Sequence, residues 1–599
     1  MAMDFFAAQD AARARSRRLV WLFLASVAGL IAAIYAAVAS LLVLGGHEGG
    51  WWDSRVFSAV AGVTILIVAI SSLWKISALR AGGGSVARSV GGRPVAPTTQ
   101  DPDERRFLNI VEEMAIASGL PVPEIYVLDA EDGINAFAAG FTPDDAAVAV
   151  TRGGITKLNR DELQGVVAHE FSHILNGDMR LNIHLIGLVF GLLVLSIVGQ
   201  GILRFSLESG ARRRGGKNDA AAVVLAIAAF GLILLIAGWI GVLFGRILQS
   251  AVSRQREFLA DAAAVQFTRN PGGLAGALRK IGNAGSRVKN EHSQDVAHLF
   301  FASGLRLGWA GLFATHPPLE ERIRALDSSW EGSFEAQPPP LPPSAAEFTA
   351  GASAIAAAAP QLARAEAIHG ELEAIFGSDL RDPGAARDIV LALFPPTPDT
   401  AETIGVAEAR QKLHAIKGAD RTALAGMLMP ALGRLPADER RELLGALDRL
   451  SDSSLDAFTF GTWWIVRRHL QRTEHPTQTP GKLDPDPAPF AKDASILIAS
   501  LIHIGSGSED IPRLFEEAMT ASPSFQPLCS YPESQPDVAQ LDCALRNLGG
   551  ASFALRKEVI DAATRGVIGD GVVTESEAAL MQVASLALDC PAPLPAGVA

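Results

Sequence analysis

Two histidines and a glutamate stand in the order His169-Glu170-x-x-His173 within VVAHEFSHILNGD, which begins at Val166. On an α-helix, side chains four apart share a face, so His169 and His173 can present both imidazoles to one metal ion. Glu170 lies about 100° around the same helix, where it reaches a metal-held water rather than the metal. Zinc suits such a site, because it takes neutral imidazole nitrogens and brings the pKa of a bound water to about 7. A neighbouring carboxylate then takes the proton as the oxygen attacks a polarised carbonyl. Histidine is scarce, with 12 in 599 residues, which makes a chance match uncommon. A motif still needs its structural context.

A catalytic zinc requires a third protein ligand. The metzincin spacing would put a histidine at position 179, which is Met179. The alternative is a glutamate on a later helix. SRQREFLADAA, from Ser253, supplies Glu257 and, one turn on, Asp261 on the same face. Glu257 would complete a His2Glu set, and Asp261 can accept a hydrogen bond from a ligand imidazole and fix its tautomer. Alone, such an acidic pair reads as a solvated helix face; beside HExxH it reads as belonging to a site. His184 is not needed as a ligand, because Glu257 already completes the set.

The elements that must position these residues include four apolar stretches long enough to cross a bilayer, which takes about 20 helical residues. They run from about Leu19 to Leu44, Val56 to Trp74, Leu185 to Leu203 and Ala221 to Phe244. Arg13, Arg15, Arg17 and Arg18 precede the first, and Lys75, Arg80 and Arg88 follow the second. By the positive-inside rule both flanks are cytoplasmic. The basic loop RFSLESGARRRGGKND between the third and fourth stretches conflicts with simple alternation; two true spans are expected there nonetheless. AGGGSVARSVGG lacks the Gly-Lys-Ser/Thr of a phosphate loop and reads as a flexible juxtamembrane connector.

Between the two pairs, residues 100 to 182 alternate helical and β-rich runs, as a compact α/β unit does. A proline- and alanine-rich linker, QPPPLPPSAAEF onward, precedes a C-terminal region of helical, soluble character. Near its end, Thr574 and Glu577 form a capping-box pattern. The net charge of −12 argues against nucleic acid as a partner. Three cysteines, Cys529, Cys543 and Cys590, none in CxxC spacing, suggest reduced thiols and a cytosolic setting for that region.

The chain resembles the HtpX-like integral-membrane zinc metalloproteases, relatives of the CAAX prenyl endopeptidases. The matching stretches are NAFAAG from Asn135, VAVTRGGITKLNRDELQGVVAHEFSHILNGD from Val148, SRQREFLADAAAVQFTRNP from Ser253 and THPPLEERI from Thr315. They cover roughly residues 15 to 327. The resemblance implies that His169, His173 and Glu257 bind one Zn2+ and that Glu170 is the general base and acid. It also implies that Asn135, on an edge strand, holds substrate backbone, a mode of recognition that tolerates many sequences. It places His316 near the site as an oxyanion stabiliser, and Arg322 against an acidic residue of the zinc surroundings.

The expected architecture is a mainly α membrane protein with about four transmembrane helices, a small α+β gluzincin-type protease domain and a C-terminal all-α soluble domain. The expected boundaries are a cytoplasmic N-terminal segment (1–18), a transmembrane hairpin (19–74) and the first protease segment, with the HExxH helix (75–182). A second transmembrane pair (185–245), the second protease segment, with the third zinc ligand (246–330), the linker (331–360) and the helical C-terminal domain (361–599) follow. The end of that domain is loosely similar to the TerB-type fold. The expected activity is endoproteolysis of membrane or misfolded proteins at the cytosolic face of a bacterial inner membrane, as quality control. Its partners are polypeptide substrates, the lipid bilayer and a protein bound by the C-terminal domain. The alternatives are a prenyl-protein processing protease and a membrane scaffold with a structural zinc site.

Overall fold

The computed structural model describes residues 5–44, 51–79, 82–212, 218–284, 317–327, 329–332, 359–395, 403–417, 420–450, 455–474, 484–505, 511–532, 535–569, 573–588 and 590. Four helices carry apolar stretches long enough to cross a bilayer: α1 (Phe5–Leu44), α2 (Ser54–Leu79), α7 (Asp178–Arg212) and α8 (Asn218–Thr268). Their outer faces expose large apolar side chains, among them Leu66, Ile70 and Leu73 on α2 and Leu225, Ile236 and Trp239 on α8. Lipid, not water, suits such a surface. Small residues let α7 and α8 touch backbone to backbone. A Cβ added at Gly199 would lie 2.3 Å from the Leu235 nitrogen, and one at Gly238 would lie 2.3 Å from the Ser196 nitrogen.

Between the two pairs lies a four-stranded sheet, flanked by α3 (Gly83–Ser89) and α4 (Pro102–Ser118). Its strands β1 (Arg93–Pro94), β2 (Glu124–Leu128), β3 (Ala136–Ala139) and β4 (Ala147–Thr151) lie in the order β1-β2-β4-β3. Strands β2 and β4 are parallel, while β3 is antiparallel to β4 and forms one edge. Short helix α5 (Arg152–Lys157) then leads to α6 (Arg160–Leu175), the HExxH helix.

The glycine-rich connector is not flexible. It folds into α3, laid on the sheet, with Gly82 making the turn at φ 92°. A Cβ at Gly83 would lie 2.1 Å from the Ala139 carbonyl oxygen. The glycines are there for closeness, and they couple the second span to the β3 edge of the sheet. The fourth apolar stretch and the helix bearing Glu257 likewise form one element. α8 runs unbroken through both, about 75 Å at 1.5 Å per residue.

The C-terminal helices are packed against the sheet unit. Buried residues of α4, of α6 and of the C-terminal region, from Leu362 to Cys590, form one contiguous apolar core. Polar contacts reinforce it. On helix α11 (Ala359–Phe376), His369 Nε2 lies 2.8 Å from Glu112 Oε2 of α4, and Arg381 Nη2 donates to the same carboxylate at 2.8 Å. Arg381 also pairs with Glu373. Glu112, His369 and Glu373 are close enough to hold a metal, but Arg381 already pairs with both carboxylates. Gln582, on a C-terminal helix that starts from the Thr574–Glu577 capping box, donates to the Gly119 carbonyl. The proline-rich linker falls mostly outside the described residues.

Two outcomes follow from these contacts. Gly83→Ala should destabilise the detergent-solubilised protein by about 1–3 kcal/mol, read as a lower thermal midpoint. Gly62→Ala, with nothing within 4 Å of its added Cβ, should leave the midpoint unchanged. Burial disfavours a charged His369, but Glu112 raises its pKa on balance. A raised folded-state value stabilises fully below the unfolded pKa of about 6.5 and fades as pH rises through the folded one. Hydrogen exchange in α11 should therefore quicken, relative to the intrinsic rate, as pH rises above about 6.5, and His369→Gln should flatten that dependence.

Candidate metal centre

Helix α6 starts at a capping box in which Asn159 and Glu162 satisfy each other's backbone amides. Its HExxH segment is held closely against α9 (Pro271–Ala284), where a Cβ at Gly165 would lie 2.9 Å from the Leu274 nitrogen. Beyond the motif α6 ends, Gly177 reverses the chain at φ 67°, and α7 begins at Asp178. His169 and Glu170 are fully buried, and His173 is partly open.

Three of the expected residues converge. His169 Nε2 and His173 Nε2 are 3.2 Å apart. Glu257, on α8 beyond its apolar stretch, places Oε2 3.6 Å from His169 Nε2 and Oε1 3.7 Å from His173 Nε2. Ligands about 2.0–2.1 Å from a tetrahedral zinc stand about 3.3–3.5 Å from one another, so the three residues lie close to metal-ligand spacing, with Glu257 offering a different oxygen to each histidine. Each imidazole turns its other nitrogen to a carboxylate. His169 Nδ1 is 2.9 Å from Asp261 Oδ1, and His173 Nδ1 is 2.9 Å from Asp178 Oδ2. That tautomer leaves both Nε2 lone pairs facing each other and Glu257, an arrangement that repels itself unless a cation lies between.

Each carboxylate is held in turn by an arginine. Arg322, wholly buried on α10 (Leu319–Leu326), donates from Nε and Nη2 to the two oxygens of Asp261 at 2.8 and 2.6 Å, and its Nη1 is 3.4 Å from Glu257. Arg256 donates to Asp178. Among the described residues, the carboxylates of Asp178, Glu257 and Asp261 outnumber these two arginines by one charge. A bound cation offsets that excess. Burial disfavours a charge on His169, yet Asp261 and Glu257 push its pKa up to about 9. Both observations point to a cage that demands a cation, and its donor set fits zinc.

Glu170 is not among the convergent ligand atoms. Burial pushes its carboxyl up, against the pull of His169, His173 and the Ala138 amide. That amide belongs to β3. Thr151 donates its amide to the Asn135 carbonyl, so Phe137 and Ala139 continue the bonding to β4, while Ala136 and Ala138 turn outward. Asn135 is buried at the head of the strand, with its Oδ1 accepting the Ala136 amide. His316 lies outside the described residues. His184 stands away from the cage, with Nδ1 2.6 Å from the Arg180 carbonyl.

Sequence reasoning missed Asp178 and Arg256, although Asp178 ends HILNGD and Arg256 precedes Glu257. Asp178 looks like the first residue of a span, and only the Gly177 turn brings it back onto His173. Replacing Asp261 or Asp178 by Asn should weaken zinc affinity about 10–100-fold in chelator competition, with the helical circular-dichroism signal retained.

Comparison with known proteins agrees with this geometry. The Peptidase family M48 model matches residues 102–329. A protease HtpX homolog of Caldanaerobacter subterraneus subsp. tengcongensis is 44% identical over 243 residues, 40% of this chain and 76% of the relative. One from Bacteroides fragilis is 37% identical over 262 residues, 43% of this chain and 77% of the relative. One from Streptococcus gordonii is 33% identical over 316 residues, 52% of this chain and 97% of the relative. No solved structure matches significantly. Relatives of this identity, matched over most of their own length, establish that the chain belongs to the HtpX-like M48 metallopeptidases, with four apolar helices that make it a membrane member of that family.

Proposed function

We propose that the chain is a zinc endopeptidase that cuts membrane and misfolded proteins at the cytosolic face of a bacterial inner membrane. The observation that carries this reading is the buried Glu170 between a two-histidine, one-glutamate cage and the outward amide of Ala138. A scaffold with a structural metal needs the cage but no such carboxylate.

His169, His173 and Glu257 would hold one zinc ion per chain. The metal supplies polarisation of the scissile carbonyl and acidification of water. Glu170 takes a proton from the attacking water and delivers it to the leaving amine nitrogen as the carbon–nitrogen bond breaks. Its buried, upward-shifted carboxyl suits a group that must hold that proton between the two steps. Asp261 and Asp178 keep the imidazoles in one tautomer, and Arg322 and Arg256 keep the carboxylates charged and in place. An extended substrate pairs through its main chain with the Ala136 and Ala138 edge of β3, replacing Asn135 Oδ1 at the Ala136 amide, a mode that places little demand on its sequence. Asn135 orients the head of that strand, and His316 serves the developing oxyanion.

The orientation rests on charge and connectivity. α2 feeds α3 and the sheet, α6 feeds α7, and α8 returns to Glu257. The sheet and both ends of the cage therefore share one membrane face with the start of α1. The arginines before the first span and Lys75, Arg80 and Arg88 after the second favour the cytosol for that face. The basic loop near Arg212 then lies on the other face, carried across by the tightly packed α7–α8 pair.

Glu170→Gln should retain about one zinc per chain while losing casein cleavage by at least about 100-fold. Equal cleavage by that variant would remove Glu170 from the chemistry.

A further inference from the structure

The turn that joins β3 to β4 is gripped from two sides. The chain leaves β3 through Gly140, at φ 151°. Asp145 closes the turn, its Oδ1 accepting the amides of Phe141 and Thr142 at 2.9 and 2.7 Å. α3 lies against that side, with Gly82 beside Asp145. Asp144 faces the other way, into the C-terminal helices. Two arginines one helical turn apart on the helix Ala457–Glu474 meet its carboxylate: Arg468 Nε at 3.2 Å, and Arg472 through Nη1. Arg468 also donates to the Leu586 carbonyl on the helix Glu575–Ala587, so the pair is braced by a second C-terminal helix. The Asp144 side chain is 5% exposed. Burial opposes its charge, yet Arg472 and Arg468 hold it below the usual carboxylate range. A buried carboxylate that loses its partners is strongly destabilising, so the turn keeps this position only while the two arginines are there.

The S. gordonii relative is matched along 97% of its length by about half of this chain. The C-terminal helices are thus an addition to a unit that elsewhere stands without them. Besides their packing on α4 and α6, their contact with the unit reaches the turn at the end of the strand that borders Glu170.

We infer that the C-terminal helices position the substrate strand: Arg468 and Arg472, through Asp144, fix the β3–β4 turn and with it the Ala136–Ala139 edge on which a peptide is aligned. This rests on the reading of β3 as the peptide-binding strand. Asp144, Arg468 and Arg472 are positioning residues, because none borders the cage. Holding the edge steady matters, since main-chain pairing sets the scissile carbonyl relative to Glu170 and small misplacements are costly.

The test uses full-length, zinc-loaded protein carrying Arg468→Gln with Arg472→Gln, Asp144→Asn alone, or Arg468→Lys with Arg472→Lys. Two internally quenched peptides are compared, one long enough to lie along the strand and one trimmed to the residues around the scissile bond. Zinc content and amide exchange of residues 136–139 are followed in parallel. The Gln pair and Asp144→Asn should raise KM for the long peptide about tenfold with kcat within about twofold. KM for the trimmed peptide should barely change, exchange at 136–139 should quicken and zinc content should hold. The Lys pair, which keeps the charge, should restore most of the long-peptide KM. Unchanged exchange in the Gln pair and in Asp144→Asn would overturn the clamp itself. Faster exchange with an unchanged long-peptide KM would overturn the inference through its premise, leaving the clamp but removing β3 as the peptide strand.

Discussion

The contact on which the rest of the centre depends is the carboxylate of Asp261, shared between His169 on α6 and Arg322 on α10. All three groups are buried. Each would be costly to bury alone, and each is tolerable because the other two complete its hydrogen bonds and charge. The shared contact brings together three helices that are far apart in the chain. It also fixes the tautomer of His169, without which Nε2 would not face Glu257. The mirrored arrangement of His173, Asp178 and Arg256 does the same for the other imidazole. The cage is therefore held in place by paired carboxylates and arginines, and the excess negative charge left over favours a bound cation.

Membrane helices supply much of this geometry. Asp178 is the first residue of α7, and Glu257 lies on α8 beyond its apolar stretch. α7 and α8 pack through glycines at backbone distance along their apolar stretches, and beyond those stretches Arg256 meets Asp178. α3 adds a third connection, from α2 onto the sheet. Two spans thus run into the metal centre, and a third is joined to the sheet beside it.

The pairs His169–His173 and Glu257–Asp261 are readable from sequence because helical spacing fixes which side chains share a face. Arg322 is readable through the family resemblance, and its place against Asp261 agrees with it. Asp178 is hidden because its partner lies across a glycine turn, where periodicity carries no information. The glycines of AGGGSVARSVGG mislead for a related reason: glycine marks both loose chain and tight contact, and only the neighbouring backbone distinguishes them. Docking of the C-terminal helices is not legible either, since amphipathic helices reveal that they have a buried face but not what covers it. The contact of Arg468 and Arg472 with Asp144 joins residues distant in sequence and has no local signature.

The most direct test of the central claim is zinc X-ray absorption on the full-length protein in detergent. Two imidazole nitrogens and carboxylate oxygen at about 2.0–2.1 Å, with the oxygen contribution altered in Glu257→Ala, is the predicted result. Sulfur around the metal, or a single imidazole, would contradict it.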